Sequence, residues 1–297
     1  MKTKVVFVIN PHSGHYRIIP MKYYIKRWVD SNNIQYYMVT TKYAGHAEKI
    51  ARLSAKNGAD IVVAVGGDGT VNEVGRGLIG TGAVMAILPC GSGNGLARHL
   101  GIPLDAVKAI NIINRLNIID IDYGLINNHP FFCTCGVGFD AQVSMKFAQG
   151  KSRGLASYIE KTLREFLKYR NEKYQLITEE QTQAVDAFIV TCANADQWGN
   201  NAYIAPTASI RDGMLDISVI PPFTPIDIPL IVYQLFNRQI DQNKNVKYFK
   251  CRKLIIKRKK EGVAHFDGDP VMLGSEITVN IVPAGLKVVS PASNSNI

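Results

Sequence analysis

Two glycine-broken segments carry the residues of this chain whose types and spacing could do chemistry. Residues 61–72 read IVVAVGGDGTVN, and residues 88–100 read LPCGSGNGLARHL. In each, an apolar run stops at glycines and a helical pattern then resumes. Glycines let the backbone approach an anion closely, and the first N–H groups of a helix have no partner within it, so they can donate to a phosphate. A third segment, VVFVINPHSG at 5–14, repeats the arrangement. Any one of these loops reads equally well as a tight turn. Three of them in one chain point to a bound nucleotide.

The elements that would position these loops are legible around them. Strand candidates at Val5–Ile9, Gln35–Val39, Ile61–Val65 and Val84–Leu88 alternate with helix candidates at Pro20–Ser31, Ala44–Asn57, Val71–Ile79 and Asn94–Leu100. That alternation predicts a parallel, doubly wound sheet with helices on both faces. In such a sheet ligands sit outside the carboxyl ends of the strands. The loops Asn10–Gly14, Gly66–Thr70 and Gly91–Asn94 would then share one crevice. Thr70 and Glu73 have capping-box spacing, which places a helix start just after the glycine turn. Gly101 followed by Pro103 marks the end of the next helix.

Beyond Asp120 the pattern changes. Strand signals at 131–135, 174–177, 187–192, 215–219, 253–256 and 276–281 are separated by turn residues such as Asn127-Asn128, Arg211-Asp212-Gly213 and Asp267-Gly268. Two amphipathic helices, Leu155–Arg170 and Ile226–Arg238, interrupt them. The reading is a nucleotide-binding α/β domain over 1–122 and an antiparallel β-sandwich domain over 123–297, with the last ten or so residues able to return to the first domain.

Composition narrows the class. Of 297 residues, 46% are hydrophobic and 20% charged, which describes a folded chain rather than a disordered one. No apolar run approaches the ~20 residues of a membrane-spanning helix, and VVFVIN is too short for a signal-peptide core. Five scattered cysteines show no zinc spacing and fit reduced thiols, so a cytoplasmic protein is expected. Cys133 and Cys135 alternate within one strand candidate. A net charge of +10 calls for an acidic partner. The cluster Lys257-Arg258-Lys259-Lys260 reads as a solvated strand end or as a face for anionic lipid. No nucleic-acid motif accompanies it, so no specific nucleic-acid partner is expected.

Two lookalike motifs carry little. Gly150-Lys151-Ser152 resembles the end of a Walker loop, but Met145 stands where that loop needs glycine. Residues 136–141, GVGFDA, match a dinucleotide fingerprint without a clean strand–turn–helix after it.

Taken together, NPHSG at 10–14, GGDGTVNEV at 66–74 and PCGSGN at 89–94 resemble the diacylglycerol kinase catalytic family, whose relatives include sphingosine and ceramide kinases. GVGFDA at 136–141, APTASIRDGMLDI at 205–217 and FDGDP at 266–270 extend the resemblance along nearly the whole chain. It implies an active site in a cleft between an α/β domain and a β-sandwich, and an ATP-dependent lipid kinase acting on diacylglycerol or a sphingoid-type lipid. Carried over by position, Gly66, Gly67, Asp68, Gly69, Thr70, Val71, Asn72 and Ser92 would hold the nucleotide, with Thr41, Asn10 and Ser13 as further contacts. The family's general base is the glutamate of a DGE motif. Here Asp267-Gly268-Asp269 puts the shorter Asp269 in that place, and Asp68 is the alternative base. The resemblance also implies Mg²⁺ with ATP, and a structural Mg²⁺ held by Asp212 with backbone carbonyls of Ser209 and Met214, linked to the cleft by Asp122. Oxygen-only ligands suit such a hard cation. Peripheral contact with the anionic inner membrane face and a homodimer complete the expectations; the helix at 155–170 reads either as packed on the sandwich or as lying on that membrane face. A soluble-acceptor kinase like NAD kinase, or a regulator that binds nucleotide without turnover, are the competing readings. The Asn-Glu signature of the former would have to be Asn171-Glu172, which reads as part of a charged helix.

Overall fold

The computed structural model describes residues 2–14, 18–149, 169 and 171–291. The helix expected at 155–170 and the Gly150-Lys151-Ser152 lookalike therefore lie outside the described residues, apart from Tyr169. The described chain divides into two units. The first comprises residues up to Tyr123 with Ile210–Asp212 and the stretch from Pro283 on, and the second holds Gly124–Ser209 and Gly213–Val282.

The first unit is built on four parallel strands, β1 (Thr3–Ile9), β2 (Ile34–Thr40), β3 (Ile61–Gly66) and β4 (Val84–Pro89), in the order β2-β1-β3-β4. Strands β3 and β4 are buried at every position, as strands covered on both faces must be, and they are accordingly continuous apolar runs. The edge strand β2 alternates instead. Helices α1 (Ile18–Trp28), α2 (His46–Lys56), α3 (Asp68–Leu78), α4 (Gly95–His99) and α5 (Ala106–Arg115) connect and cover them. The strand β5 (Ile118–Ile126) comes next. Helix α5 went unrecognised in the sequence, although Asp105 caps it by accepting from Lys108 N–H at 2.9 Å.

The second unit is a sandwich. One sheet has six antiparallel strands in the order β12-β11-β10-β7-β14-β15, comprising β7 (Thr134–Gly138), β10 (Ile189–Ala193), β11 (Leu215–Ile220), β12 (Lys247–Cys251), β14 (Gly262–Phe266) and β15 (Asp269–Leu273). In the other, β13 (Lys253–Arg258) pairs with residues 276–280 of β16 (Glu276–Val289) and with β8 (Glu172–Ile177), and β9 (Thr182–Ala187) lies outside β8. Cys135, Val137, Val190, Cys192, Leu215 and Ile217 from the first sheet pack against Tyr174, Leu176, Leu254, Ile256, Ile277 and Val279 from the second. The short β6 (His129–Phe131) pairs with β5. Helices α6 (Phe139–Gln149) and α7 (Ile228–Phe236) complete the described elements.

Several sequence expectations change. The helix after the first glycine turn starts at Asp68, not Val71, and no capping box forms: Gly67 is the cap residue, and Thr70 and Glu73 bond elsewhere. Glu172 opens strand β8 rather than lying in a helix, because its stretch zips onto β9. Cys135 is in β7 but Cys133 precedes it, in the break between β6 and β7. Arg258 is no solvated strand end. Its buried guanidinium donates to the carbonyls of Gly274, Val263, Gly262 and Leu273 at 2.7–3.2 Å. Finally, GVGFDA does run from a strand straight into helix α6, but β7 is central to an antiparallel sheet, which is not the βαβ context of a dinucleotide site.

Candidate active site

The first unit brings its three loops together at the carboxyl ends of its strands. Asn10, just past β1, donates its N–H to Val65 O at 3.0 Å, and its side-chain amide donates to Thr70 Oγ1 at 3.0 Å. The Asn10 Oδ1 accepts from His12 N–H, which folds the loop back. Gly67 N–H reaches Ser13 Oγ at 3.4 Å, and Cys90 N–H donates to Gly66 O at 2.8 Å. Thr41 leaves the end of β2 buried, with its N–H on Ile9 O at 2.9 Å. The two glycine loops touch through bare backbone: a Cβ on Gly91 would stand 2.6 Å from the Gly67 Cα. Alanine at Gly91 would therefore push the loops apart.

Asp68 locks this arrangement. Its Oδ2 accepts from Asn94 N–H at 2.9 Å and its Oδ1 from Gly95 N–H at 2.7 Å, so the carboxylate of one loop caps the helix leaving the other. Asn94 in turn closes its own loop, accepting from Gly91 N–H at 3.0 Å and donating to Gly91 O at 2.6 Å. Burial pushes the Asp68 carboxyl above the ordinary range, while the amides of Gly95 and Asn94 pull in the other direction. Gly69 and Ser92 are exposed at the loop tips, whereas Thr70, Val71 and Asn72 are buried in α3. Asn10, Ser13, Gly66–Thr70 and the Gly91–Asn94 loop are thus one connected cluster. Glu73, expected to close a capping box, instead accepts from Gly45 N–H at 2.7 Å and Ala47 N–H at 2.9 Å, anchoring the start of α2 beside the loop after β2.

Asp122 is buried in the same unit. Its Oδ1 accepts from Ala284 N–H at 2.7 Å and its own N–H donates to Ile210 O at 2.7 Å, pinning the segment 210–212. Asp212 is exposed at the end of that segment, before the left-handed Gly213. Ser209 and Met214 belong to the second unit. Among the described residues no cluster of three or more His, Cys, Asp or Glu side chains is placed to hold a metal. A cation at Asp212 would therefore depend mostly on backbone carbonyls.

In the second unit, Asp267-Gly268 is the two-residue turn between β14 and β15, closed by the Phe266–Asp269 pair. Both turn residues have positive φ, 47° and 85°, as a type I′ hairpin requires. The Asp267 carboxylate gathers three amides, those of Phe132 and Cys133 at 2.8 Å and of Thr134 at 3.1 Å. Asp269, the next acid along, is exposed at the start of β15. A buried polar set behind this hairpin had no sequence signal. Asp140, in the first turn of α6, meets His265 Nε2 at 3.0 Å and Thr191 Oγ1 at 3.2 Å above Gly136, where a Cβ would crowd both Asp140 and His265.

Residues 4–126 match the diacylglycerol kinase catalytic domain, and residues 133–290 match the YegS C-terminal NAD kinase beta sandwich-like domain. The chain belongs to the family that joins a diacylglycerol kinase catalytic domain to a YegS-type C-terminal sandwich. Among family relatives, the protein named Probable lipid kinase YegS from Salmonella typhimurium strain LT2 is 26% identical over 265 residues, 87% of each chain. Uncharacterized protein sll0036 of Synechocystis sp. PCC 6803 is 27% identical over 245 residues, covering 80% of this chain and 56% of its own. The crystal structure of a diacylglycerol kinase from Bacillus anthracis strain Sterne superposes with a TM-score of 0.77 at 19% identity, covering 97% of both chains. At that identity it shows the family fold, an α/β domain with a parallel sheet followed by an antiparallel β-sandwich.

Proposed function

We propose that this member of the lipid kinase family uses ATP to phosphorylate a hydroxyl of diacylglycerol or a sphingoid-type lipid. The observation that carries the reading is the loop cluster of the first unit, where bare backbone of Gly67 and Gly91 meets at the carboxyl ends of parallel strands and Asp68 fixes the two loops to each other. Phosphoryl transfer asks mainly for such positioning, together with charge neutralisation. The nucleotide phosphates would lie along the exposed tips at Gly69 and Ser92, with Asn10, Ser13 and Thr41 shaping the walls. Both oxygens of Asp68 already accept backbone amides, which disfavours it as the base. Asp269 is exposed and takes the position of the family's glutamate, so it is the group to accept the acceptor hydroxyl's proton.

Asp212 with the carbonyls of Ser209 and Met214 offers a hard cation the oxygen donors it prefers, and Asp122 anchors the same segment through Ile210. Bound there, Mg²⁺ would supply structural charge compensation. A second Mg²⁺ would arrive with ATP to neutralise its phosphates.

The family model for residues 133–290 describes an NAD kinase-like sandwich, which keeps a soluble acceptor as the second reading. Transfer of γ-labelled phosphate from ATP into the organic phase of a lipid extract, with and without Mg²⁺, separates the cases. Labelled lipid made by the parent and not by Asp269→Ala supports the proposal. Label confined to water-soluble product, NADP above all, refutes it in favour of the second reading. Tight ATP binding with no product on any acceptor would make the chain a nucleotide-binding regulator.

A further inference from the structure

The helix α7 is apolar on both sides. Ile231 and Leu235 face inward, where they pack against a buried cluster containing Phe139, Phe188, Ile204 and Ile220. On the other side Leu230, Val232, Tyr233 and Phe236 are about half exposed, and Ile226, in the turn leading into the helix, is 88% exposed. Five of the fourteen large apolar side chains left exposed among the described residues fall within residues 226–236. A helix apolar all round belongs inside something, yet nine residues rise only about 14 Å, far short of a membrane span.

Charge around the helix narrows what covers it. Between residues 226 and 261 the sequence holds ten lysines and arginines against Asp227, Asp241 and Glu261; of the ten, Arg258 is buried on carbonyls, and Lys250 and Lys257 pair with Asp216 and Glu276. Arg238, just after the helix, is paired with Asp196 at 2.8 Å, so it leaves the lysines beyond it to supply the charge. Asn243 donates its side-chain amide to Gln234 Oε1 of α7 at 2.7 Å, which brings the next residue, Lys244, to that part of the helix, and Lys247 follows at the start of β12. Lys244 and Lys247 are exposed and form no ion pair among the described residues. A two-fold contact with a second copy would set these cations against themselves. Apolar side chains beside such cations are instead the pattern of a helix lying in the headgroup region of an anionic bilayer.

We propose that α7, with Ile226, is the membrane-docking element of this protein: Ile226, Leu230, Tyr233 and Phe236 enter the acyl boundary of an anionic membrane while Lys244 and Lys247 meet lipid phosphates. This deepens the lipid-kinase reading by naming where the enzyme would meet its substrate's surface, and its test reads binding without turnover. The full-length protein is sedimented with vesicles of phosphatidylcholine alone and of phosphatidylcholine with about 30 mol% phosphatidylglycerol, a surface anionic enough to attract clustered lysines. Parent protein should partition to the anionic vesicles, Leu230→Asp/Phe236→Asp should lose about tenfold or more in partition, and Lys244→Gln/Lys247→Gln should lose severalfold, more at low salt than at high. A Tyr233→Trp variant should shift its emission to the blue on adding anionic vesicles. Because the substituted side chains are exposed, unchanged thermal unfolding will show that each variant is folded. Equal partition of parent and Leu230→Asp/Phe236→Asp, or no vesicle binding by the parent, overturns the proposal. So does a concentration-dependent dimer that the aspartate variant abolishes, since the face would then be a self-contact. Phosphoryl transfer to detergent-dispersed lipid, measured separately, should survive in the docking variants; its absence in the parent would count against the kinase reading and leave the docking result standing.

Discussion

The Asp-Gly turns of the two units make an instructive pair. Asp68-Gly69 in the first unit and Asp267-Gly268 in the second each begin with an aspartate that residue type alone would nominate as a base. In each, that aspartate is engaged in architecture. Asp68 caps the helix after the second glycine loop through two amides, and Asp267 gathers three amides ahead of and within β7. The residues after the two aspartates differ. Beyond Asp68 the exposed position is a glycine, bare backbone suited to a phosphate, whereas beyond Asp267-Gly268 comes an exposed carboxylate, Asp269. In both motifs the first acid builds the loop, and the proposed chemistry falls to an exposed neighbour, Gly69 or Asp269.

That contrast can be broken most sharply at Asp269. Asp269→Ala should lower the phosphoryl-transfer rate about 100-fold or more while ATP affinity, measured by calorimetry, changes little. Asp269→Glu, which restores the longer family side chain, should keep or raise the rate. If Asp269→Ala leaves turnover intact and Asp68→Asn, with a stability close to the parent's, abolishes it, the assignment is reversed. Next in size, Asp267→Ala should cost about 3 kcal/mol in thermal unfolding, because three amides lose their acceptor and alanine must take a positive φ. Asp68→Ala should cost about 2 kcal/mol by orphaning two amides, and should weaken ATP binding as the second loop loosens. Gly91→Ala should act smaller still on stability, by about 1 kcal/mol, yet lower ATP affinity by separating the loops. The least effect concerns Cys90, beside the loops, and Cys251, in the sandwich. Burial pushes both thiols up to about 12, so both should stay protonated and unreactive toward a disulfide reagent at about pH 8 until the protein unfolds.

The first unit was the more legible in sequence. Its strands β1 to β4 are buried runs interrupted by glycine, and burial on both faces of a parallel sheet leaves that signature whatever the partner strands are. The boundaries of these four strands moved by at most two residues, whereas the start of α3 moved by three. In the sandwich the signal was thinner. The edge strand β9 alternates polar and apolar residues, β14 and β15 are five-residue pieces around a turn, and none of the three was read as a strand. Site chemistry was legible as far as loops and motif acids. It was not legible where a side chain serves a distant backbone. Glu73 bonds Gly45 and Ala47, and Arg258 bonds carbonyls on two neighbouring segments, so neither role leaves a local pattern. The exposure of α7 was equally hidden: the segment 226–238 reads as an amphipathic helix, yet the structure leaves apolar side chains on its exposed side as well as its inward one.

Strand β16 constrains how this chain must be made. Residues from Pro283 on belong to the first unit: Val288 pairs with Met85 of β4, Ala284 holds Asp122, Lys287 bonds Asp120 at 2.8 Å and Ser290 bonds Asn117. A ribosome delivers the pieces of that unit out of order, with some ninety residues of the other unit emerging before Ile210–Asp212 and another seventy before the closing strand. The nascent α/β unit therefore waits, its β4 edge unpaired, until residues 283–291 have emerged. Excising residues 1–123 as an autonomous nucleotide-binding module should yield a fragment that aggregates, and supplying 276–291 as a tethered peptide should rescue its solubility.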